Sequence, residues 1–214
     1  MRKGGIACNL VTGQEILDDP SGCAEHVACT IETLNLGRPT DVAVIDEIQL
    51  LADPSRGWAW SRALLGLRAP RVHLCGDPAA ESLVRRLLAP TRDVLEVRRH
   101  ERLSPLDMDH APLAGLSRVQ PGDCVVAFSR QAVHRAKAEI EESTGLRCTA
   151  IYGALPPAVR RESARRFNEG EADVLVATDA VGMGLNLQVR RMVFTAARKF
   201  DGKVTRPLAA PEIK

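Results

Sequence analysis

The 214-residue chain has no stretch approaching 18 consecutive apolar residues, so no membrane-spanning helix is expected. Its opening, Met1-Arg2-Lys3-Gly4-Gly5, leads into neither an apolar signal core nor an Arg/Ser-rich amphipathic segment, so no secretory or organellar address is expected. No CxxC pair occurs among Cys8, Cys23, Cys29, Cys75, Cys124 and Cys148. Three of these lie in apolar, strand-like runs, which suits free thiols acting as small hydrophobes and not a zinc site. Lysine is scarce, five residues against 24 arginines. With so much alanine this reads as a GC-rich coding bias, so arginine abundance is no argument for a nucleic-acid partner. Charge of one sign is also lacking. The formal net charge is +2, made of −1 over residues 1–105 and +3 over 106–214. The second half is thus mildly basic, compatible with a phosphate-tracking surface.

What is present is the composition of a globular protein. Apolar residues make up 45% and charged residues 26%, which excludes a disordered chain, a collagen-like chain and a small disulfide-stapled scaffold. Short β-branched runs alternate with helical segments. The strands expected are Val42–Ile45, Val72–Cys75, Val94–Val97, Cys124–Phe128, Cys148–Tyr152, Val174–Ala177 and Met192–Ala196. Most are apolar at successive positions, as in parallel strands covered on both faces. Between them Trp60, Leu64 and Leu67 recur at helical spacing, as do Trp58, Arg62 and Leu65. Ser129 is placed to cap a helix whose Val133, Ala136 and Ile140 share a face, with Gly145 as its stop. Pro156 and Pro157 open another, with Ala164 and Phe167 inward and an end near Gly170. This alternation predicts an α/β fold with parallel sheets. The Pro/Gly-rich stretch from Ser104 to Gly122 interrupts it, so the expected domains are 1–105 and 123–214 with a linker at 106–122.

Three blocks carry chemistry. In Asp41-Val-Ala-Val-Ile45-Asp46-Glu47-Ile48-Gln49 an apolar strand delivers adjacent carboxylates to its carboxyl end, where α/β folds bind ligands. Asp46 can hold a hydrated Mg2+ ion and Glu47 can orient a water at a γ-phosphate. A solvated turn is the plainer alternative, which an isolated Asp-Glu pair usually represents. In His73-Leu-Cys-Gly76-Asp77-Pro78-Ala79 a strand meets a glycine turn and a helix start, a weak signal alone; His73 itself reads as a buried imidazole. In Val174-Leu-Val-Ala177-Thr178-Asp179, followed by Gly182 and Gly184, a buried strand ends in Thr-Asp, and the two glycines permit close backbone approach to a ligand.

In this order and spacing the blocks resemble motifs II, III and V of superfamily-two helicases, and more closely the mitochondrial degradosome RNA helicases (the suppressor-of-var family) and their bacterial relatives. Asp53 through Trp60, Pro121 through Cys124 and Tyr152-Gly-Ala-Leu-Pro-Pro157 are similar too. The resemblance implies two RecA-like units, ATP hydrolysis between them with ATP and Mg2+ as cofactors, and RNA, or DNA, across their top. An exoribonuclease partner is implied as well, with a cytoplasmic setting in a bacterium or a mitochondrial one in a eukaryote. By the same resemblance Asp46 and Glu47 are the metal and water residues. Gln49 couples nucleotide state to the opposite domain. Thr30, Glu32, Ser129 and Thr178 meet the nucleic acid, and Asp179, Gly182 and Gly184 line the nucleotide. Hydroxyls and backbone amides suit contacts to phosphates that ignore sequence.

Two features of the family do not occur within these residues: the phosphate loop G-x-x-x-x-G-K-S/T, and the final Gln-and-arginine motif. The expectation is therefore a first unit incomplete at its N-terminus and a second truncated at its C-terminus, with no ATPase from these residues alone. Two other readings stay open, a non-catalytic nucleic-acid-binding module and a phosphate-binding α/β hydrolase unrelated to nucleic acid. Trp58 and Trp60 are expected in core or interdomain packing, with stacking on a base as the alternative, and Arg160, Arg161, Arg165 and Arg166 on a solvated helix face.

Overall fold

Helices on both faces of a parallel sheet define the second half of the chain, while the first half distributes its strands over two smaller sheets. A computed structural model describes residues 5–101, 106–182, 184–209 and 213. The chain divides into two units, Met1–Pro105 and Leu106–Lys214.

In the first unit β1 (Cys8–Val11) pairs antiparallel with β2 (Ile16–Leu17) and parallel with β3 (His26–Cys29). β4 (Val42–Ile45) leads through α1 (Gly57–Gly66) to β5 (Arg71–Leu74), which lies parallel to it with Ile45 opposite Leu74. α2 (Glu81–Leu88) follows. Ile45, Ile48, Leu51, Ala59, Trp60, Ala63, Ala80 and Val84 form the core. α1 turns Trp60 and Ala63 inward and leaves Trp58, at 56% exposure, and Leu65 outside. Gly57 begins this helix against the preceding turn. A Cβ there would lie 2.4 Å from the Leu51 carbonyl oxygen, so only glycine admits this approach.

In the second unit β6 (Asp123–Val126), α3 (Arg130–Thr144), β7 (Cys148–Ile151), α4 (Pro157–Asn168), β8 (Val174–Ala177) and β9 (Arg191–Phe194) follow in chain order. All four strands are parallel in the order β7-β8-β6-β9. The side-chain period of two divides their apolar residues. Val125, Val174 and Val176 face α3 residues Val133, Ala136 and Ile140, while Cys124, Leu175 and Ala177 face Ala164 and Phe167 of α4. Ser129 caps α3 by accepting the Ala132 N–H at 3.1 Å, and Gly145 ends it at φ 73°. A hairpin of β10 (Arg198–Phe200) and β11 (Thr205–Pro207) follows β9.

Four expectations need correction. Val94–Val97 is not a strand: Val94 is 96% exposed, and only Leu95 packs on the core. No strand pairs with this segment, so its β-branched residues have no ladder to join. Cover on both faces holds for β6 and β8 but not for β4, whose Val42 and Val44 are 50% and 66% exposed. Trp58 projects from α1 and is not part of the core of its unit. His73 is exposed, not a buried imidazole.

Candidate functional site

The loop after β4 presents both carboxylates to solvent: Asp46 and Glu47 are exposed, while Ile45 and Ile48 on either side are buried. Glu47 occupies the left-handed region at φ 53°, ψ 44°, a conformation that costs a side-chain-bearing residue about 1–3 kcal/mol. The surroundings hold it there. The parallel ladder continues past the strand ends, with the Cys75 N–H on Ile45 and the Ile48 N–H on the Cys75 carbonyl, each at 2.9 Å. The Glu47 N–H donates to Asp46 Oδ1 at 2.9 Å. The Trp60 indole N–H donates to the Asp46 carbonyl at 3.0 Å. The Gln49 side chain donates to Glu47 Oε2 and accepts the Asp77 N–H at 3.0 Å. Gln49 thus lies over Gly76, where a Cβ would come within 2.3 Å of its Oε1. The Gly-Asp-Pro block after β5 therefore clasps the carboxylate loop, and Gln49 is the side chain common to both.

At the end of β3, Thr30 is exposed and starts a 3-10 turn over Ile31–Thr33. Its N–H donates to the Val11 carbonyl at 3.1 Å, and its hydroxyl shares a 3.1 Å hydrogen bond with that of Thr33. Glu32 accepts from Arg56 through Nε at 3.1 Å and Nη2 at 2.8 Å. Partial burial pushes its carboxyl up, but the hydrogen bonds and charge of Arg56 outweigh that and hold it below the usual range.

In the second unit Ser129 and Thr178 follow neighbouring strands. The Ala127 N–H donates to the Ala177 carbonyl at 2.8 Å, which carries the β6–β8 ladder up to both residues. Asp179 opens a 3-10 turn ending at Gly182, and Gly184 sits at φ 75°; nothing lies within 4 Å of a Cβ built on either glycine. Asp179 is ion-paired with Lys199 of β10 at 2.8 Å. The structure thus groups Asp46, Glu47 and Gln49 in one loop, Thr30 and Glu32 in another, and sets Ser129 and Thr178 just past the ends of the paired strands β6 and β8.

Asp46 suits a hard divalent cation: an exposed carboxylate with one oxygen on its own loop amide and no ion pair among the described residues. No group of three or more His, Cys, Asp or Glu able to hold a metal occurs among the described residues. This donor set fits Mg2+, which takes one or two carboxylates and completes its shell with water and substrate phosphates. The cysteines fit no such role. Burial pushes the Cys124 thiol up to about 12 and the Cys148 thiol to about 11, the nearby Asp123 and Glu141 carboxylates adding to the shift.

Trp60 was expected in packing, but its hydrogen bond to the carboxylate loop was not, and neither Arg56 nor Lys199 was given a role of its own. Arg56 and Trp60, four apart, set a guanidinium 5.3 Å from the indole ring centre. A buried Trp needs an acceptor for its N–H, and that general rule is the signal that could have suggested a partner for it. Lys199 carried no sequence signal for Asp179.

Residues 1–100 match the DEXQ-box helicase domain of Suv3, and residues 110–203 the helicase conserved C-terminal domain. The chain is 52% identical over 213 residues to the ATP-dependent RNA helicase SUV3L, mitochondrial, of Oryza sativa subsp. japonica, covering 98% of this chain and 29% of that protein. It is 51% identical over 195 residues to SUPV3L1, mitochondrial, of Mus musculus, covering 89% and 25%. With SUV3, mitochondrial, of Saccharomyces cerevisiae the identity is 42% over 213 residues, covering 98% and 29%. The chain thus spans less than a third of the length of these relatives. Among solved structures, the Mycobacterium smegmatis helicase Lhr bound to ssDNA and AMP-PNP aligns with a TM-score of 0.66 at 16% identity, over 90% of this chain and 31% of that one. That likeness shows the fold, two RecA-like parallel-sheet units.

Proposed function

The chain belongs to the Suv3-type DEXQ-box helicases of superfamily two, and on that premise we propose that it forms the central part of a core that couples ATP hydrolysis to RNA unwinding in RNA turnover. The observation that carries this reading is the exposed Asp46–Glu47 pair in a loop pinned by Trp60, Gln49 and Asp77. Asp46 would hold Mg2+ with the nucleotide phosphates; the ion, when bound, neutralises charge on the β- and γ-phosphates. Glu47, held in the left-handed region and bonded by Gln49, would orient the attacking water. Gln49, tied to Glu47 and to the Asp77 amide, would signal nucleotide state. Gly182 and Gly184 leave open backbone for a nucleotide, and Asp179 would serve there only after leaving Lys199. Thr30, Glu32, Ser129 and Thr178 would lie along the nucleic acid. Their hydroxyls and backbone groups favour sequence-tolerant, salt-sensitive binding. An exoribonuclease partner belongs to this reading of the whole protein.

The alternative is a binding module without catalysis. One experiment separates the two. Joined to flanking regions that supply a phosphate loop and the arginine motif, the chain should hydrolyse ATP in an RNA-stimulated manner, and Glu47→Gln should abolish turnover while keeping nucleotide binding. Without those regions no ATPase should be detected, since the arginine fingers of related enzymes alone contribute about 10³–10⁵ in rate. Turnover unaffected by Glu47→Gln would refute the assignment of the carboxylate loop.

A further inference from the structure

Glu32, Arg56, Trp60 and Asp46 join the two loops of the first unit. Glu32, beside Thr30, accepts two hydrogen bonds from Arg56 on one carboxylate oxygen, at 2.8 and 3.1 Å. The Arg56 guanidinium stands 5.3 Å from the centre of the Trp60 ring. Trp60, only 4% exposed, donates its indole N–H to the carbonyl of Asp46 at 3.0 Å. That carbonyl belongs to the peptide that leads into the left-handed Glu47.

The first link is the weak one. The Arg56 and Glu32 side chains are 44% and 35% exposed, and such pairs contribute little in water. A phosphodiester arriving at Thr30 meets a carboxylate that repels it and a guanidinium that matches it. Arg56 can trade one charge-assisted pair for another at small cost, since its fork fits phosphate as well as carboxylate. The second link is the guanidinium over the indole, and the last is the specific one: a buried indole has one donor, and its acceptor here is the Asp46 carbonyl.

We propose that Arg56 is an exchangeable phosphate contact of the first unit, and that Trp60 is a positioning residue carrying the displacement of Arg56 to the Asp46–Glu47 loop. Strand binding thereby reaches the hydrolytic carboxylates through side chains of one unit. This rests on the reading of the Thr30–Glu32 turn as a place the strand passes, with Glu32 acting there through Arg56 and not as a ligand of the phosphate.

The test uses the whole chain and a short single-stranded oligouridylate. Trp58 and Trp60 are its two tryptophans. Trp58→Phe, a change at an exposed position, leaves Trp60 as the single indole. Its emission should then change on RNA addition, in step with the anisotropy of end-labelled RNA. In Trp58→Phe/Arg56→Met the emission should stop responding. The slope of log affinity against log salt should fall by about 1, the signature of one lost phosphate contact. Arg56→Gln gives the same readouts if the Met variant loses its fold by circular dichroism. Glu32→Ala, which frees Arg56, should tighten binding about threefold, within what one exposed ion pair allows. RNA bound with a silent Trp60 overturns the relay and leaves the strand reading standing. A salt slope unchanged in the Arg56 variants, or weaker binding by Glu32→Ala, overturns the phosphate contact. No RNA binding by the chain overturns the strand reading and this proposal with it.

Discussion

Replacing Arg191 with Met should loosen the central sheet of the second unit. Asp123, the first residue of β6, is fully buried and carries a carboxylate. Arg191 of β9, one strand away, donates to it through Nε at 3.2 Å and Nη2 at 2.6 Å, and the Gln120 N–H adds a third bond at 2.8 Å. Arg190 stands at 3.6 Å. Truncating one partner of a buried pair strands the other charge and costs about 3–5 kcal/mol. Arg191 keeps 28% exposure and Arg190 remains nearby, so the lower bound applies, about 3 kcal/mol. Native-state hydrogen exchange reads this directly: amides of β6 and β8 that open with the unit should exchange about 100-fold faster. Asp123→Asn should cost less, because the arginine left behind reaches water. The double variant should recover part of the Arg191→Met loss, by about 1 kcal/mol or more. Exchange within a factor of about two of the parent protein, or strictly additive effects, would refute the view that this buried pair fastens β9 to β6.

In the unmodified chain, β8 should be more protected from exchange than β4. All four residues of β8 are buried between β7 and β6, whereas β4 has β5 on one side and two exposed valines; stronger protection in β4 would contradict this. Towards a thiol reagent at pH 8, exposed Cys23 and Cys75 should react in the folded protein, while Cys124 and Cys148, with pKa values of about 12 and 11, should react only on unfolding. Hydrogen bonds from the Arg147 side chain and backbone hold the Asp173 carboxyl below its usual range. A depressed carboxyl stabilises the fold above its unfolded pKa and loses that contribution as pH falls through the folded value. The gap in urea midpoint between the parent protein and Arg147→Met should therefore narrow as pH falls below about 4, and a gap constant with pH would exclude this linkage. RNA affinity should fall steeply with salt and vary little with base identity; a binding constant indifferent to salt would count against backbone-directed contacts.

The sequence by itself determined the parallel α/β class, because runs such as Val174–Ala177 are apolar at every position and only a sheet covered on both faces can bury them. It also determined the helix ends at Ser129 and Gly145, where capping is a local matter of one side chain and one backbone angle. The Asp46-Glu47-Ile48-Gln49 block was legible for the same reason: a strand end is a position in sequence before it is a position in space. What lay beyond the sequence was everything set by partners from elsewhere in the chain. Val42–Ile45 and Val94–Val97 are both short runs rich in β-branched residues, yet the first found β5 and the second found no ladder. Trp58 and Trp60 stand two residues apart, and only packing against Ile45, Leu51 and Val84 decided which was buried. The bonds from Trp60 to Asp46 and from Arg56 to Glu32 span 14 and 24 residues. Hydrogen bonds and ion pairs act over a few ångströms, so contacts at such separations exist only once the fold has closed the distance.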